Sequence, residues 1–293
     1  AIMLIGGILV GAWQGFWIAY VKVPPFIATL AGMYAFRGLS NVVMQGYAIG
    51  ISNTTFLNVF GGGADCYIPD FLHGNGINMT CMAAGIIVVI VYIVMMLRSR
   101  ISAKNKGYEV APLASEIVKM VIISALVLWV FYKLANYKGI PTVLIWIAVV
   151  LLAYNYITEH TRMGRYLYAV GGNEKATNLS GIDSRKVYFF AYVNMGLMAG
   201  LAGILTVARA QGAQPTFGNL YEMDAIAACF IGGASAYGGE GSIFGVVIGA
   251  LIMGVINQGM SIMGVNANYQ TVVKGIVVLV AIIFDVLSNK KKK

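Results

Sequence analysis

The feature that most constrains this chain is a series of long apolar runs separated by short polar stretches. A helix that crosses a bilayer needs roughly 20 mostly apolar residues, and in lipid a helix satisfies its own backbone hydrogen bonds. The apolar segments lie at about 1–20, 27–46, 79–97, 115–132, 140–157, 187–208, 222–235, 243–260 and 270–287. The sequence therefore predicts an all-α fold, a polytopic transmembrane helical bundle with about nine apolar segments.

The seventh segment is short and ends in glycine, so residues 222–260 are either two crossings or a re-entrant hairpin. Composition agrees with a membrane protein, because 59% of the residues are hydrophobic and only 11% are charged, against about 25% charged in soluble domains. The longest polar stretch, 158–186, is too short for a soluble domain, so residues 1–293 are expected to form one transmembrane domain. The chain opens inside an apolar run without signal-peptide features, and we expect amino-terminal helices to be missing.

The placement of Lys and Arg predicts the orientation, because cytoplasmic loops carry an excess of both. If the loop after the first segment is cytoplasmic, most of the 20 Lys and Arg residues fall on that side, including the lysines at 290–293. Only Lys133, Lys138 and Arg209 fall on the other side. The carboxyl end is therefore expected in the cytoplasm.

Glycines recur every four residues in several segments, as in Gly7, Gly11 and Gly15, in Gly196 with Gly200, and in Gly245 with Gly249. Small residues at this spacing form a flat stripe along which two helices approach closely in lipid. The stripes predict a tightly packed bundle, and they are equally expected in channels, transporters and membrane enzymes.

The polar stretch 158–186 contains signals for a short helix between two spanning segments. Asn173 is a favourable helix cap, and Glu174 follows it at the positive end of the helix dipole. Gly181 can end the turn in a left-handed conformation. Such a helix lies parallel to the membrane and is either a solvated connector or a lever docked into another protein.

A second glycine-rich stretch, the glycine loop 232–242, lies between two apolar runs. Unwound chain at membrane depth must face protein or water, and in transporters such breaks often line the pathway or act as hinges. The hinge candidates are Gly232, Gly233, Gly238, Gly239 and Gly241. A packing turn is the alternative.

Polar side chains inside spanning segments are costly and often functional. Arg37, Asn41 and Gln45 stand four apart and share one helical face. The other candidates for a translocation pathway are Asn194, Asn257, Gln258 and Gln270. Amides both donate and accept hydrogen bonds, so they suit a neutral, hydroxyl-rich solute. The alternatives are helix-to-helix hydrogen bonds for each amide and, for Arg37, a side chain that reaches the external interface.

The sequence does not contain the combination of residues that an enzyme active site would need. Ser235 lies in a context similar to that of rhomboid-type proteases, but His73 and His160 both precede it in predicted loops, so it has no base. No ATP-binding GxxxxGK[ST] motif exists, and the spacing of Cys66, Cys81 and Cys229 does not favour a metal site. Whether Cys66 and Cys81 form a disulfide is left open. Glu222 and Asp224, at the predicted outer mouth, either cap the next helix or contact an external partner, and capping is favoured.

Three stretches, covering with their spacing about Val10 to Asp285, carry a family resemblance. They are Gly164–Asn173 with Ala176 and Ser180–Ile182, then Tyr221–Ala228 leading into the glycine loop, and finally Val265–Asn266 with Gln270 and Lys274–Gly275. In order and spacing they resemble the membrane permease subunits of bacterial ABC importers for monosaccharides, the ribose, galactose and xylose group. The helix near 111–133 is more similar to that of the xylose and multiple-sugar permeases.

The resemblance implies a transport subunit of the bacterial inner membrane, not an enzyme and without a cofactor, that moves a monosaccharide such as xylose or galactose into the cytoplasm. It implies three partners: a cytoplasmic ABC ATPase subunit, an extracytoplasmic sugar-binding protein and a second permease copy in a homodimer. It also makes 158–186 the coupling loop that docks on the ATPase. The implied contact residues are Arg165, Glu174, Ala176, Ser180, Gly181, Ile182 and Arg185.

Two other functions stay open at this stage. One is a permease of the same superfamily for nucleosides or branched-chain amino acids. The other is a self-contained secondary sugar carrier, which usually needs a coupling acid or cation site at mid-membrane. All eleven Asp and Glu residues lie in loops or near predicted segment ends, which argues against the carrier.

Overall fold

A computed structural model describes residues 1–72, 74, 76–106 and 113–290, without the side chains of 103, 113 and 288–290. The predictions that concern His73 and residues 291–293 lie outside the described residues. The described chain is helical, with two short strands. In order the elements are α1 (Ile2–Ala19), α2 (Pro25–Met44), β1 (Ile49–Gly50), α3 (Thr54–Phe60), α4 (Met79–Asn105), α5 (Leu113–Ala135), α6 (Thr142–His160), α7 (Arg162–Gly172), α8 (Glu174–Leu179), α9 (Ser184–Arg209), β2 (Gly212–Ala213), α10 (Tyr221–Ile231), α11 (Ile243–Ile262) and α12 (Ala267–Lys290).

Among the described residues, eight helices are long and apolar enough to cross a membrane, namely α1, α2, α4, α5, α6, α9, α11 and α12. They correspond to eight of the nine predicted segments, and the polytopic helical fold is confirmed. The seventh segment differs, because α10 has only 11 residues and therefore reaches about 16 Å of a hydrocarbon core of about 30 Å. It ends where Gly232 and Gly233 follow, the latter with a left-handed φ of 85°. Helix α10 alone is therefore too short for a full helical crossing, and whether residues 222–260 form two crossings or a re-entrant hairpin stays open.

The chain forms two compact units, one made of Ala1–Ile51 with Ile147–Lys293 and the other of Ser52–Trp146. That residues 1–293 act as one transmembrane domain stays a prediction.

In the first unit, α1 and α9 pack along the predicted glycine stripes. A Cβ added to Gly11 would lie 2.5 Å from the carbonyl oxygen of Tyr192 and 3.0 Å from the Cα of Gly196. Gly7 faces Gly196 and Gly200 at similarly short range. No real side chain approaches a backbone this closely, so glycine is required for the two helices to meet. The prediction of close packing from glycine spacing is confirmed here.

Helices α10 and α11 meet in the same way, since Gly245 and Gly249 of α11 lie against the backbone at Gly232 and Ala228. Met253, only 2% exposed, fills the space beside Ala228 and joins the core on which α12 packs. The carboxyl-terminal end of α10 is therefore fixed by backbone contact.

A two-stranded antiparallel pair joins the segments that follow α2 and α9, with Ile49 opposite Ala213 and Gly50 opposite Gly212. These two helices therefore end on the same side of the first unit. The predicted alternation of crossings also places both loops on one side.

In the second unit, α4 and α5 form a helical pair in which Gly85 lies against the ring of Phe131. The ring of Phe60, in α3, stacks on that of Trp146 with 5.2 Å between centroids, and the Trp146 indole donates to the carbonyl of Val59 at 3.0 Å. Helix α3 is capped at its amino-terminal end by Asn53, whose side chain accepts a hydrogen bond from the amide of Phe56. These contacts hold α3 against the start of α6.

Asp70 organises the loop between α3 and α4. Its carboxylate accepts hydrogen bonds from the backbone amides of Leu72 (3.1 Å), Gly74 (2.8 Å) and Thr80 (3.1 Å), and from the Thr80 hydroxyl (2.8 Å). These bonds, that from Gly74 first, hold the pKa of Asp70 well below its ordinary value. One charged group thus fixes the loop and the first turn of α4.

We expect Asp70→Ala to loosen this loop and to raise its rate of proteolytic cleavage several-fold at neutral pH. Because the folded-state pKa is lowered, the carboxylate stabilises the loop above its ordinary pKa, and this stabilisation is lost as the pH falls below about 4. Limited proteolysis with a neutral protease measures the faster cleavage of Asp70→Ala, and an acid-stable protease measures the loss of protection at low pH. The control is Asp65→Ala, which replaces an exposed acid of the same loop. Equal cleavage of the two variants would contradict the assignment.

Candidate coupling and translocation sites

The coupling loop folds as two helices with well-defined caps. The hydroxyl of Thr161 accepts from the amide of Gly164 at the start of α7, and the Asn173 side chain accepts from the amide of Ala176 (3.0 Å) at the start of α8. Gly181 follows α8 with a left-handed φ of 85°. The short helix capped by Asn173 and ended at Gly181 is confirmed, while α7 is an additional helix that the sequence analysis did not separate.

A hydrogen-bond network centred on the buried Ser184 ties α8 to the first turn of α9. The hydroxyl of Ser184, whose residue is only 3% exposed, donates to Oε1 of Glu174 at 2.9 Å. The Asn178 side chain accepts from the amide of Ser184 (3.0 Å) and donates to its hydroxyl (3.1 Å). The Tyr188 hydroxyl donates to the second oxygen of Glu174 at 3.4 Å. Side chains on both sides of the turn therefore hold α8 to the start of α9.

The outer face of α8 is open. Ala176, Ser180 and Gly181 are exposed and Ile182 is partly buried, whereas Glu174 points into the network just described. Leu179, which the sequence analysis did not include among the contact residues, is 90% exposed. An apolar side chain so exposed at the end of a helix is a candidate anchor for a protein partner.

Two arginines flank this face, and both are exposed. Arg165 lies on α7, and Arg185 forms an ion pair with Asp183 at 3.2 Å. The hydrogen bond from Arg185 lowers the pKa of Asp183 below its ordinary value.

Beside α8 lies an open groove of about 770 Å³. One wall is the turn between α1 and α2, and the other is the connection from α8 to α9. Among its lining residues are Lys22, Pro24, Glu174, Asn178 and Arg185. The exposed α8 and this groove together form a mixed polar and apolar surface, a candidate docking site that we call the coupling surface.

The glycine loop lies against α7. A Cβ on Gly171 would lie 2.7 Å from the amide nitrogen of Gly239, and one on Gly238 would lie 2.6 Å from the Gly171 carbonyl oxygen. Of the five hinge candidates, Gly233, Gly238 and Gly239 have left-handed φ values of 77–87°. Gly232 packs against Gly245, and the carbonyl of Gly241 accepts from the Tyr168 hydroxyl at 3.0 Å.

A third element reaches the same loop, since Asp285 of α12 accepts from the amide of Ala236 at 2.9 Å. The glycine loop, which follows α10 in the chain, therefore contacts both α7 and α12. A packing role is evident from these contacts, and the role of the glycines as a hinge stays a prediction.

Within the described ranges, no side-chain to side-chain hydrogen bond joins any two of the seven predicted pathway residues. Asn194 accepts from the Tyr154 hydroxyl at 2.7 Å, which is a helix-to-helix bond between α9 and α6. Asn41 donates to the carbonyl of Arg37 on its own helix.

The other pathway candidates have local or no partners. Gln45 lies at the carboxyl-terminal cap of α2 in a left-handed conformation, and Gln270 donates to the nearby carbonyl of Val265 at 2.8 Å. Asn257 has a buried side-chain oxygen without a hydrogen-bond partner, and Gln258 is exposed. Asn257 is thus the candidate with an unused acceptor inside a spanning helix.

Charged residues form two ion pairs that the sequence analysis did not predict. Nη2 of Arg37 donates to both carboxylate oxygens of Glu222, at 3.1 and 3.4 Å, and Nζ of Lys274 donates to Oδ2 of Asp224 at 2.7 Å. Glu222 and Asp224 do lie in the first turn of α10, but the cap position of that helix is Leu220, and no side chain caps it. The expectation that both acids mainly cap the helix is therefore wrong, because their hydrogen bonds go to cations on α2 and α12.

Cys66 and Cys81 are both buried free thiols, and Cys81 donates to the carbonyl of Phe131. The open question of a disulfide is answered in favour of free thiols.

The described part of the chain has eight helices long and apolar enough to span a membrane, a half-length helix at a glycine loop and an exposed short helix between two spans. These are the features of a multi-pass membrane permease. The chain belongs to the family of the permease component of branched-chain amino acid transport systems, whose model matches residues 72–282. It is therefore a transport subunit, and ATP hydrolysis belongs to a separate subunit.

The chain is similar to curated proteins over nearly its whole length. It is 38% identical to the xylose transport system permease protein XylH of Haemophilus influenzae over 286 residues, which are 98% of this chain and 73% of that protein. It is 34% identical to XylH of Escherichia coli K12 over 99% of this chain and 71% of that protein. It is 51% identical to the ribose import permease protein RbsC of the same strain over 154 residues, 53% of this chain and 47% of that protein. No solved structure matches the chain.

Proposed function

We propose that this protein is the transmembrane permease subunit of an ATP-driven importer that moves xylose, or a closely similar monosaccharide, across the inner membrane into the cytoplasm. The observation that carries the proposal is the similarity to XylH, which extends over 98% of the chain. The ribose permease is similar over a shorter region, which favours the xylose type.

The polar groups inside the bundle support a neutral solute. The two cations within the spanning segments α2 and α12, Arg37 and Lys274, are each paired with an acid of α10. A zwitterionic amino acid is best recognised by charged groups that are available to it, whereas amides such as Asn257 suit hydroxyl groups. A monosaccharide therefore fits this bundle better than a branched-chain amino acid.

The coupling surface is proposed as the docking site of the ATPase subunit. It would place α8, with Leu179 and the backbone turn at Gly181, against that subunit, and the hydrogen bonds around Ser184 would carry the displacement into α9. Arg165, Ala176, Ser180, Ile182 and Arg185 are proposed as flanking contacts. Glu174 is proposed to act within the permease, by holding α8 to α9.

The remaining partners are a sugar-binding protein outside the membrane and a second copy of the permease. Large apolar side chains on α12, such as Phe284 at 75% and Val280 at 59% exposure, leave faces for lipid and for a second copy. The carboxyl end is proposed to lie in the cytoplasm, because the excess of Lys and Arg then falls inside. Selectivity is proposed to come mainly from the binding protein, since a solute shifts an alternating-access equilibrium only through unequal affinity for the two states.

The test is uptake into proteoliposomes that contain the permease and its ATPase, with the sugar-binding protein outside and ATP inside. We expect labelled xylose to accumulate only when ATP and binding protein are both present. An excess of unlabelled ribose or galactose should compete weakly, and leucine or adenosine should not compete. Transport of leucine or adenosine would assign the protein to another branch of the superfamily, and uptake driven by an ion gradient without ATP would identify a secondary carrier.

A further inference from the structure

Helix α10 is held differently at its two ends. At its carboxyl-terminal end, Gly232 and Ala228 lie in backbone contact with Gly245 and Gly249 of α11, so little relative movement is possible there. At its amino-terminal end the cap position is Leu220, a non-glycine residue with a left-handed φ of 66° that makes no side-chain cap hydrogen bond. No capping side chain therefore helps to position the first turn.

The two ion pairs supply that positioning. Glu222 is bonded to Arg37 of α2, and Asp224 is bonded to Lys274 of α12, so two acids two residues apart bridge α10 to two different helices. The Lys274 and Asp224 side chains are only 17% and 26% exposed. The second carboxylate oxygen of Asp224 is buried without a hydrogen-bond partner, so this carboxylate depends on a single cation.

The two ion pairs lie well inside the spanning helices, and this position determines how strongly they hold. Arg37 lies seven residues before the end of α2, and Lys274 lies seven residues after the start of α12, so both lie within spanning helices rather than at their tips. Salt screens such pairs weakly, and a separated charge in a membrane is costly. The Lys274–Asp224 pair is the more enclosed, since the Arg37 and Glu222 side chains are each 36% exposed. Both pairs become easier to separate when water or a hydroxyl-rich solute enters.

We propose that Arg37, Glu222, Asp224 and Lys274 are positioning residues that hold the amino-terminal half of α10 in place and keep the extracytoplasmic end of the permeation pathway closed between sugar deliveries. The proposal rests on the proposed function for its direction and solute. In the predicted topology α10 begins on the outer side, and it swings about the glycine contacts at its other end. The four residues act through the position of α10 and need not touch the sugar.

The diagnostic readout is a leak of solute that needs no ATP. Efflux of preloaded xylose, and separately of the smaller polyol erythritol, is measured from proteoliposomes without ATP or binding protein. We expect Asp224→Asn and Glu222→Gln each to raise efflux by about fivefold or more, the factor that corresponds to the loss of one moderate interaction. Asp65→Asn, an exposed acid in the other unit, is the control and should not leak.

The charge-exchanged double variant Asp224→Lys with Lys274→Asp separates positioning from simple loss of structure. It keeps an ion pair in the same place, so efflux should return toward that of the wild type. If the single variants fail to reconstitute, the double variant and Lys274→Arg can still be measured. Both keep an ion pair, so both should show wild-type efflux without ATP and should retain ATP-driven uptake.

Two results would overturn the proposal. One is wild-type efflux from Asp224→Asn and Glu222→Gln, and the other is a change in the xylose KM for ATP-driven uptake without any leak, which would make these residues part of a sugar site. The erythritol measurement does not depend on which solute is imported. A protein that transports no monosaccharide but still leaks erythritol in these variants would refute the proposed function and leave the positioning role standing.

Discussion

Replacement of Gly11 by alanine is expected to destabilise the folded permease, whereas replacement of Gly6 by alanine is expected to leave its stability unchanged or slightly higher. The new methyl group on Gly11 would lie 2.5 Å from the Tyr192 carbonyl oxygen, but one on Gly6 would meet no atom within 4 Å. Overpacking of this kind costs about 1–3 kcal/mol, while alanine in a helix is favoured over glycine by roughly 0.5–1 kcal/mol. The two substitutions are one methyl group each, in the same helix, with opposite expected signs.

Thermal unfolding of the purified permease in detergent, followed by size-exclusion chromatography after heating, measures the difference. Gly196→Ala on the facing helix should repeat the loss, and Gly254→Ala, which has open space around its Cβ, should not. Equal midpoints for Gly11→Ala and Gly6→Ala would show that α1 and α9 do not meet along this stripe in the membrane protein.

The helix pairing at Gly11 was predictable because the signal is local. Glycines four residues apart indicate a flat face on their own helix, and a run of about 20 apolar residues indicates a membrane span. Neither signal depends on the rest of the chain. The partner was not predictable: the stripe at Gly7 and Gly11 does not say that it will meet Gly196. The shortness of the seventh segment was visible in the sequence, but the end of α10 at Ile231 was not, because hydropathy continues through Gly232 and Gly233.

The same distinction separates the two candidate sites. Helix α8 could be predicted from Asn173, Glu174 and Gly181, because helix caps and left-handed glycines act within a few residues of the chain. The ion pairs of Glu222 and Asp224 join residues 185 and 50 positions apart, and helix-dipole reasoning assigned both acids to a cap. Arg37 and Lys274 in apolar segments were the available signal, because a cation in a membrane span requires a counter-charge.

Gly181→Pro is expected to uncouple the permease from ATP hydrolysis while leaving its fold intact. Gly181 has a φ of 85°, which proline cannot adopt, and its amide donates to the carbonyl of Asn178 at 3.0 Å. A Cβ at this position meets no atom within 4 Å, so the substitution acts through the backbone of the turn alone. Incompatible substitutions of this kind cost more than about 1 kcal/mol, which disfavours the α8 conformation by roughly fivefold or more.

The measurement is xylose-stimulated ATP hydrolysis by the reconstituted complex, compared with the amount of ATPase that co-purifies with the permease. Gly181→Asn is the matched control, because asparagine tolerates the left-handed conformation and should retain coupling. Leu179→Asp should also abolish stimulation without unfolding the permease, since Leu179 is 90% exposed, and Leu179→Met should retain it. Full stimulation of ATP hydrolysis in both Gly181→Pro and Leu179→Asp would mean that the ATPase binds another part of the permease. An α8 helix that is docked on the ATPase could not tolerate both a disrupted turn at Gly181 and a charged side chain at position 179.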